Sequence, residues 1–407
     1  MKEYLQLGDE EAVRYDLALP YVFLSFLNYG TMSQEAAGIG LWSQFEVAFQ
    51  IPLEWYVRKN DKWVFHDWTL LTPYILVDDP TSIGTGREVY GWPKERGWVY
   101  PELDAWRRDH SDTQRLLSLR ARTFSPAHAG KRIVRRELVN VGYTATPLTA
   151  QLPPDPRLIP LYLIPRAIIG SVGTLGTIAE GASRLLFGGS PGAPRKRLDL
   201  LVSNLFDLVL TRRRDAYVNV TNLKQFRDSV DPQQACYQSV VNAKMEVADF
   251  RGAGPLGDVD VLRGDRSGGY EIQIHDYEQR PIVRKLGLHV ASSRETDEGV
   301  VDTLRPHLPF WIDLDLHSTL GDTICWRAGT SRWSEGSGPH LPAQAGDKPA
   351  APYSDARGAP QAQAGPFQFS DVTTRIFPLE ATELAAGERV TVQVLDEGIH
   401  SGTTPGF

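Results

Sequence analysis

The stretch from residue 42 to residue 77 most constrains the fold, because apolar and polar residues alternate through Phe45 to Tyr56, Trp63 to Trp68 and Leu70 to Val77. A period of two puts successive side chains on opposite faces of a strand, so each run predicts a strand with one face buried. The polar run Arg58-Lys59-Asn60-Asp61-Lys62 between the first two predicts a hairpin turn. Just upstream, residues 18 to 30 are apolar, rich in aromatic and β-branched residues, and bounded by Pro20 and Gly30. They read as a further buried strand. A chain of 407 residues with 42% hydrophobic content can bury a sizeable core, as one large domain or two to three smaller ones.

The rest of the chain is less uniform. Residues 99 to 150 predict a charged, solvated helix over Pro101 to Leu119 and strands such as Lys131 to Tyr143. Pro153-Pro154-Asp155-Pro156 then opens a region of different character, an insertion of roughly residues 150 to 213. Its apolar run, Leu158 to Ala179, has the length of a membrane span, but Pro160, Pro165, Gly170, Gly173, Gly176 and Arg166 speak against one. Leu198 to Leu210 reads as an amphipathic helix between the basic triplets at 195–197 and 212–214. The alternatives are packing on the main body or a partner subunit, or a lid or membrane-touching patch. Strand patterns return over 216 to 290. Residues 291 to 334 form a globular extension, 335 to 366 a Gly/Pro/Ala-rich linker, and 367 to 407 a short β tail that either completes the fold or pairs with another chain.

One lysine stands out chemically. Gly86-Arg87-Glu88-Val89-Tyr90-Gly91-Trp92-Pro93-Lys94 is a rigid, aromatic stretch that ends on an amine. A lysine attacks a carbonyl only as the neutral base, which requires that it lose most of its solvation or lie near positive charge. Trp92, Pro93 and Trp98 could supply apolar walls; the alternative is a solvent-facing lysine at a strand end. Arg87 and Glu88 read as a structural bridge on a strand. Only one of them could share a face with Lys94, and by count that is Glu88. Glu46, flanked by Phe45 and Val47, is either a pocket group or the outward residue of an alternating strand. His275, among apolar neighbours, reads as a structural histidine. Lys224, Arg227 and Lys244 read as edge charges.

The lysine stretch resembles the signature of the acetoacetate decarboxylase family. Phe45-Glu46-Val47-Ala48-Phe49-Gln50-Ile51-Pro52 is similar to the family segment in which a glutamate precedes an isoleucine-proline pair by five residues. Tyr74-Ile75-Leu76-Val77-Asp78-Asp79-Pro80 resembles the run into a small helix before the lysine strand. Val240-Val241-Asn242-Ala243-Lys244 and Tyr270-Glu271-Ile272-Gln273-Ile274-His275-Asp276 resemble two later strands, so the resemblance covers roughly residues 20 to 290. It implies a β-rich α+β fold, an antiparallel β-barrel or cone with a helical insertion in a domain of residues 1–290. It also implies an imine-forming lyase with Lys94 as nucleophile and Glu46 as proton relay. The register with Ile51-Pro52 places Glu46 in the pocket, with Ser25, Glu88, Trp92 and Glu95 as further pocket residues.

Three departures bear on the activity that the resemblance implies. Ser25 stands where the family carries a second acidic residue. The family's substrate-facing arginine is not carried over, since Arg14 is too close to Pro20. Glu95 replaces a second lysine; on a regular strand it points away from Lys94, whereas a turn at Pro93 would bring it into the site. Decarboxylation of a β-keto acid is the first reading and aldol or dehydration chemistry on a keto acid the second. The third is a noncatalytic small-molecule binder or assembly module. The implied partner is a small carbonyl compound such as a keto acid, with no cofactor and no metal, in a cytoplasmic homo-oligomer.

Composition limits other classes. A net charge of −7 and a pI near 5.8 argue against nucleic acid or an anionic membrane as main partner. Cys236 and Cys325 have no partner in metal-ligand spacing and suggest neither a disulfide framework nor a zinc site. The first residues lack the apolar region of a secretory signal. No glycine-x-serine-x-glycine elbow or zinc-protease histidine pair supports a hydrolase.

Overall fold

A computed structural model describes residues 13–18, 21–34, 39–108, 110–123, 134–145, 217–227, 235–257, 267–277, 280–297, 299–307, 309–318, 321–328, 334–335 and 367–381. The alternating N-terminal runs form β1 (Val13–Leu17), β2 (Tyr21–Gln34), β3 (Ile39–Lys59) and β4 (Lys62–Val77). Of the apolar run over 18–30, residues 21–30 lie in β2, which continues to Gln34. Asn60 and Asp61, both with positive φ (49° and 57°), join β3 to β4 in a two-residue hairpin closed by the Lys59–Lys62 pair. Asn and Asp tolerate that left-handed geometry, and it matches the twist of the flanking strands.

Helix α1 (Pro80–Thr85) follows, then one π-helical turn over Gly86–Tyr90, β5 (Lys94–Pro101), β6 (Gln114–Thr123) and β7 (Val134–Tyr143). The chain continues through β8 (Tyr217–Arg227), β9 (Ala235–Pro255), β10 (Tyr270–Asp276) and α2 (Ile282–Leu286). Strands β11 (Ser292–Thr296), β12 (Gly299–Leu304), β13 (Phe310–Ser318), β14 (Asp322–Ala328), β15 (Ser334–Glu335) and β16 (Phe367–Glu380) complete the described elements.

Strand pairing runs β3–β2–β16–β13–β9–β8–β4, and a further β3–β4 pairing closes these seven strands into a barrel. The fold is therefore β-rich with few, short helices among the described residues. The barrel is antiparallel except at one seam, where β4 and β8 run parallel through Leu70–Val220 and Leu71–Thr221. The end of β4 also pairs β5 in parallel, and from there β5, β6, β7, β10, β12 and β11 extend as a second antiparallel arm.

Alternation decides what each face meets. On β2 and β3, Val22, Leu24, Phe26, Val47, Phe49 and Ile51 face outward into the main core, together with Leu119, Val139 and Ile274 of the arm. The intervening residues Ser25, Leu27, Tyr29, Glu46 and Gln50 face the barrel lumen. The same strands thus build the apolar core with one face and a cavity with the other.

Several expectations are corrected. Pro101 to Leu119 is not a helix among the described residues: Pro101 ends β5, Glu102 to Arg108 is a turn region, and Gln114 to Leu119 lies in β6, bound to β5 and β7. Cross-strand pairing overrides the helical composition there. Gly86–Tyr90 is helical rather than a strand, so the face count that put Glu88 beside Lys94 does not apply. Within the described residues of 291–328, β12 pairs β10, and β13 and β14 pair β9. Strand β16, in the described part of the tail, lies in the barrel between β2 and β13. The insertion over 150–213, including its proposed helix, lies outside the described residues, as does nearly all of 335–366. No helix among the described residues is long and apolar enough to cross a membrane.

Where β10 ends, Asp276 accepts the Val283 N–H and anchors α2. Burial raises its carboxyl to about pKa 6, with Asp302 adding to the effect. Because the folded value lies above the unfolded one, the acid form contributes stability below about pH 4, and this is lost as pH rises through about 6. Asp276→Asn, which keeps the acceptor and removes the charge, should melt higher than the parent at pH 7.5 and lose that advantage at pH 4. Thermal melts at both pH values check this.

Candidate functional site

The sequence from Asp78 to Lys94 folds back over the end of β4. Asp78 accepts the Phe45 N–H at 2.8 Å, which ties the end of β4 to β3 one residue from Glu46. Asp79 caps α1 by accepting the N–H groups of Thr81 and Ser82, and Pro80 occupies the first turn, where its missing N–H costs nothing. Gly91 ends the π turn with φ of 68°. A Cβ there would lie 2.6 Å from the Lys224 Cα, so both backbone conformation and space call for glycine. Arg87, exposed at the surface, donates its Nε–H to the Lys94 carbonyl at 2.8 Å and closes the loop on the start of β5.

Lys94 pairs in register with Ile75, and Glu46 pairs with Val77. Ile75 and Val77 share one face of β4 by the period of two, so lysine and glutamate approach that face from opposite sides. The lysine is 3% exposed and Glu46 8%. Nζ lies 3.0 Å from Glu46 Oε2 and donates to Ser82 Oγ at 2.7 Å. It also lies 5.0 Å from the Trp92 ring centroid, and Trp92 stacks on Tyr90 at 4.4 Å. Glu46 is itself held by the Gln44 side-chain amide at 2.9 Å and faces the Tyr29 hydroxyl at 3.5 Å. Burial and the neighbouring Glu46 push the Tyr29 phenol well above its ordinary pKa, so it stays protonated and can donate. Gly86 lies against the lysine chain: a Cβ there would be 2.7 Å from Lys94 Cδ.

Lys94 and Glu46 open into a lumen cavity of about 160 Å³ to which all seven barrel strands contribute. Its polar lining is Ser25, Tyr29, Glu46, Gln50, Thr72, Trp92, Lys94 and Thr374; the remainder is aliphatic, Met245 and Phe369. Ser25 donates to Gln50 at 2.8 Å. Among the described lining residues Lys94 is the sole cation. Val218 lines the cavity and is also 38% exposed, which marks an edge open to solvent.

Of the residues named from sequence, Lys94, Glu46, Ser25 and Trp92 meet in this cavity, whereas Glu88 and Glu95 do not line it. Glu88 is exposed on the π turn. Glu95 follows the strand alternation and bonds Arg280 at 2.6 Å on the other face. Trp98 is likewise no wall of the site, since Arg96, Arg122 and Arg135 lie over its ring on the β5–β7 arm. Arg14 is bound to Asp16, and Lys244 to Glu246. His275 stacks on Tyr277. Sequence reasoning did not find Gln44, Ser82 or Tyr29. Gln44 could have been found from its i−2 spacing to Glu46; Ser82 and Tyr29 required the tertiary fold.

No family model matches the chain, and no curated protein matches it. Among solved structures, the acetoacetate decarboxylase of Legionella pneumophila is similar over 79% of this chain and 88% of its own, at 10% identity and a TM-score of 0.29. A second acetoacetate decarboxylase structure is similar over 82% of this chain and 100% of its own, at 10% identity and a TM-score of 0.27. At these scores the likeness assigns no residue, and the site rests on its own geometry.

A buried ammonium–carboxylate pair is costly to desolvate, and removing one partner strands the other. Glu46→Leu should therefore destabilise the protein by about 3 kcal/mol or more, while Glu46→Leu with Lys94→Met should recover most of that loss or exceed the parent. Urea unfolding of the parent, both single variants and the double variant measures the cycle.

Proposed function

We propose that the protein is an imine-forming lyase in which Lys94 condenses with a ketone carbonyl, and that decarboxylation of a β-keto acid is its reaction. The observation that carries the reading is the 3.0 Å contact between two buried groups, Lys94 Nζ and Glu46 Oε2, at the wall of the lumen cavity. The resemblance of the Gly86–Lys94 and Glu46–Pro52 stretches to acetoacetate decarboxylases supports it independently.

The chemistry follows from the pair. Passing one proton from Nζ to Glu46 yields a neutral amine and a carboxylic acid with no change in net charge, so little solvation is needed. The amine adds to the carbonyl, and the glutamic acid returns its proton to the carbinolamine oxygen as water leaves. The resulting iminium withdraws the electron pair of the adjacent carbon–carboxylate bond, and carbon dioxide departs. The enamine carbon is then protonated and the imine hydrolysed, for a net conversion of R–CO–CH₂–CO₂⁻ and H⁺ to R–CO–CH₃ and CO₂. Gln44 and Tyr29 fix the Glu46 carboxylate for both transfers. An apolar lumen favours a step that turns a charged substrate into neutral products.

Carbon dioxide release from β-keto acids, followed with the substituted proteins, tests the reading. Lys94→Ala should abolish it, and Glu46→Gln should lower kcat by about 10² to 10⁴. Gly86→Ala, compatible with a φ of −62° but with its Cβ 2.7 Å from Lys94 Cδ, should lower kcat by roughly 10² through displacement of the lysine chain, and lower the melting temperature as the buried pair is disturbed. Undiminished release from Lys94→Ala would overturn the proposal. Release of a carbonyl fragment without carbon dioxide would move the same imine to aldol cleavage.

A further inference from the structure

The lumen is mixed on one side and apolar on the other. Strands β2 to β4 and the β5 start supply Ser25, Tyr29, Glu46, Gln50, Thr72 and Lys94 beside Leu27, Leu70 and Ile75, and β16 adds Thr374. Across the barrel, every lining residue of β8, β9 and β13 is apolar: Val218 and Val220, Met245 and Val247, then Ile312, Leu314 and Leu316. That wall offers no hydrogen-bond donor, acceptor or charge to a ligand, although it faces the reactive pair across a cavity of about 160 Å³. A ligand bearing only a methyl group beyond its carbonyl would contact little of it.

We propose that the carbonyl substrate carries an uncharged, apolar substituent larger than methyl, seated against β8, β9 and β13, and that a second anionic group on this side is excluded. The inference rests on the imine reading of Lys94 and adds the class of the group R. Two independent effects lead to it. Each methylene moved from water to such a wall gains about 0.8 kcal/mol, close to fourfold in binding at 25 °C. A carboxylate in the same place would be desolvated with no donor to receive it, since among the described lining residues Lys94 is the sole cation and stands on the opposite side with Glu46. The partly exposed Val218 sets where the group can extend once the cavity is full.

The test uses the full-length protein and two series of probes. In the first, carbon dioxide release is measured with 3-oxobutanoate, 3-oxohexanoate, 3-oxooctanoate and the doubly charged 3-oxoadipate. The half-saturating concentration should fall about fourfold for each methylene between the first two acids, before levelling as the cavity fills, with 3-oxoadipate at least tenfold weaker than 3-oxohexanoate. In the second series, calorimetry follows binding of the matching 3-hydroxy acids, which cannot form an imine; the same order is expected. If 3-oxobutanoate and 3-hydroxybutanoate bind as tightly as their six-carbon counterparts, or the diacids bind best, the substrate-class inference is wrong. Absence of carbon dioxide release from every oxo acid would instead defeat the decarboxylation reading, and the hydroxy-acid series would still decide whether the wall selects an apolar group.

Discussion

The contact between Lys94 and Glu46 is the constraint that the surrounding strands and turns hold in place. Two ionisable groups sharing a nearly dry site are held at 3.0 Å, and neither could be kept there by a flexible scaffold. The surrounding structure supplies the constraint from both sides. Asp78 and the Leu27–Glu46–Val77 strand register fix the glutamate. The capped helix α1, the π turn, Gly91 and the Arg87 contact to the Lys94 carbonyl fix the lysine. A buried pair of this kind is costly to desolvate, a relation expected if it serves the chemistry proposed for it.

The barrel places this pair where water is scarce. Its strands carry two different instructions in one alternating sequence: Val47, Phe49 and Ile51 seal the core shared with the arm, while Glu46 and Gln50 enter the lumen. A one-residue slip of β3 would exchange the two sets, so the large outward core protects the register of the site. Strand β16 matters in the same way. By lying between β2 and β13 it closes the ring and contributes Phe369, Thr374 and Ile376 to the lumen, although it is distant in sequence from the lysine.

Much of this was legible before any coordinates. The alternation over 42–77 announced β3 and its hairpin, although the two later runs, Trp63 to Trp68 and Leu70 to Val77, are joined in the one strand β4; the Glu46 and Lys94 stretches drew attention to the two residues that meet. Glu95 obeyed the simplest strand rule and turned outward to Arg280. What could not be read was information held by distant partners. The segment from Pro101 carries helical composition, yet pairing with β5 and β7 makes much of it strand; the run through Glu88 looks extended but is wound by the cap at Asp79 and the turn at Gly91. Ser82 and Tyr29 are ordinary residues in sequence; the fold-back through α1 brings Ser82 to Lys94, and the β2–β3 pairing brings Tyr29 to Glu46.

The central claim is that this buried lysine is a nucleophile toward carbonyl carbon. Borohydride reduction of the protein in the presence of a β-keto acid, followed by peptide mass mapping, addresses it most directly. The account predicts one stable adduct, on the peptide containing Lys94, absent without the keto acid and absent from Lys94→Ala. Modification spread over surface lysines, or no adduct from any β-keto acid with the fold intact, would contradict it.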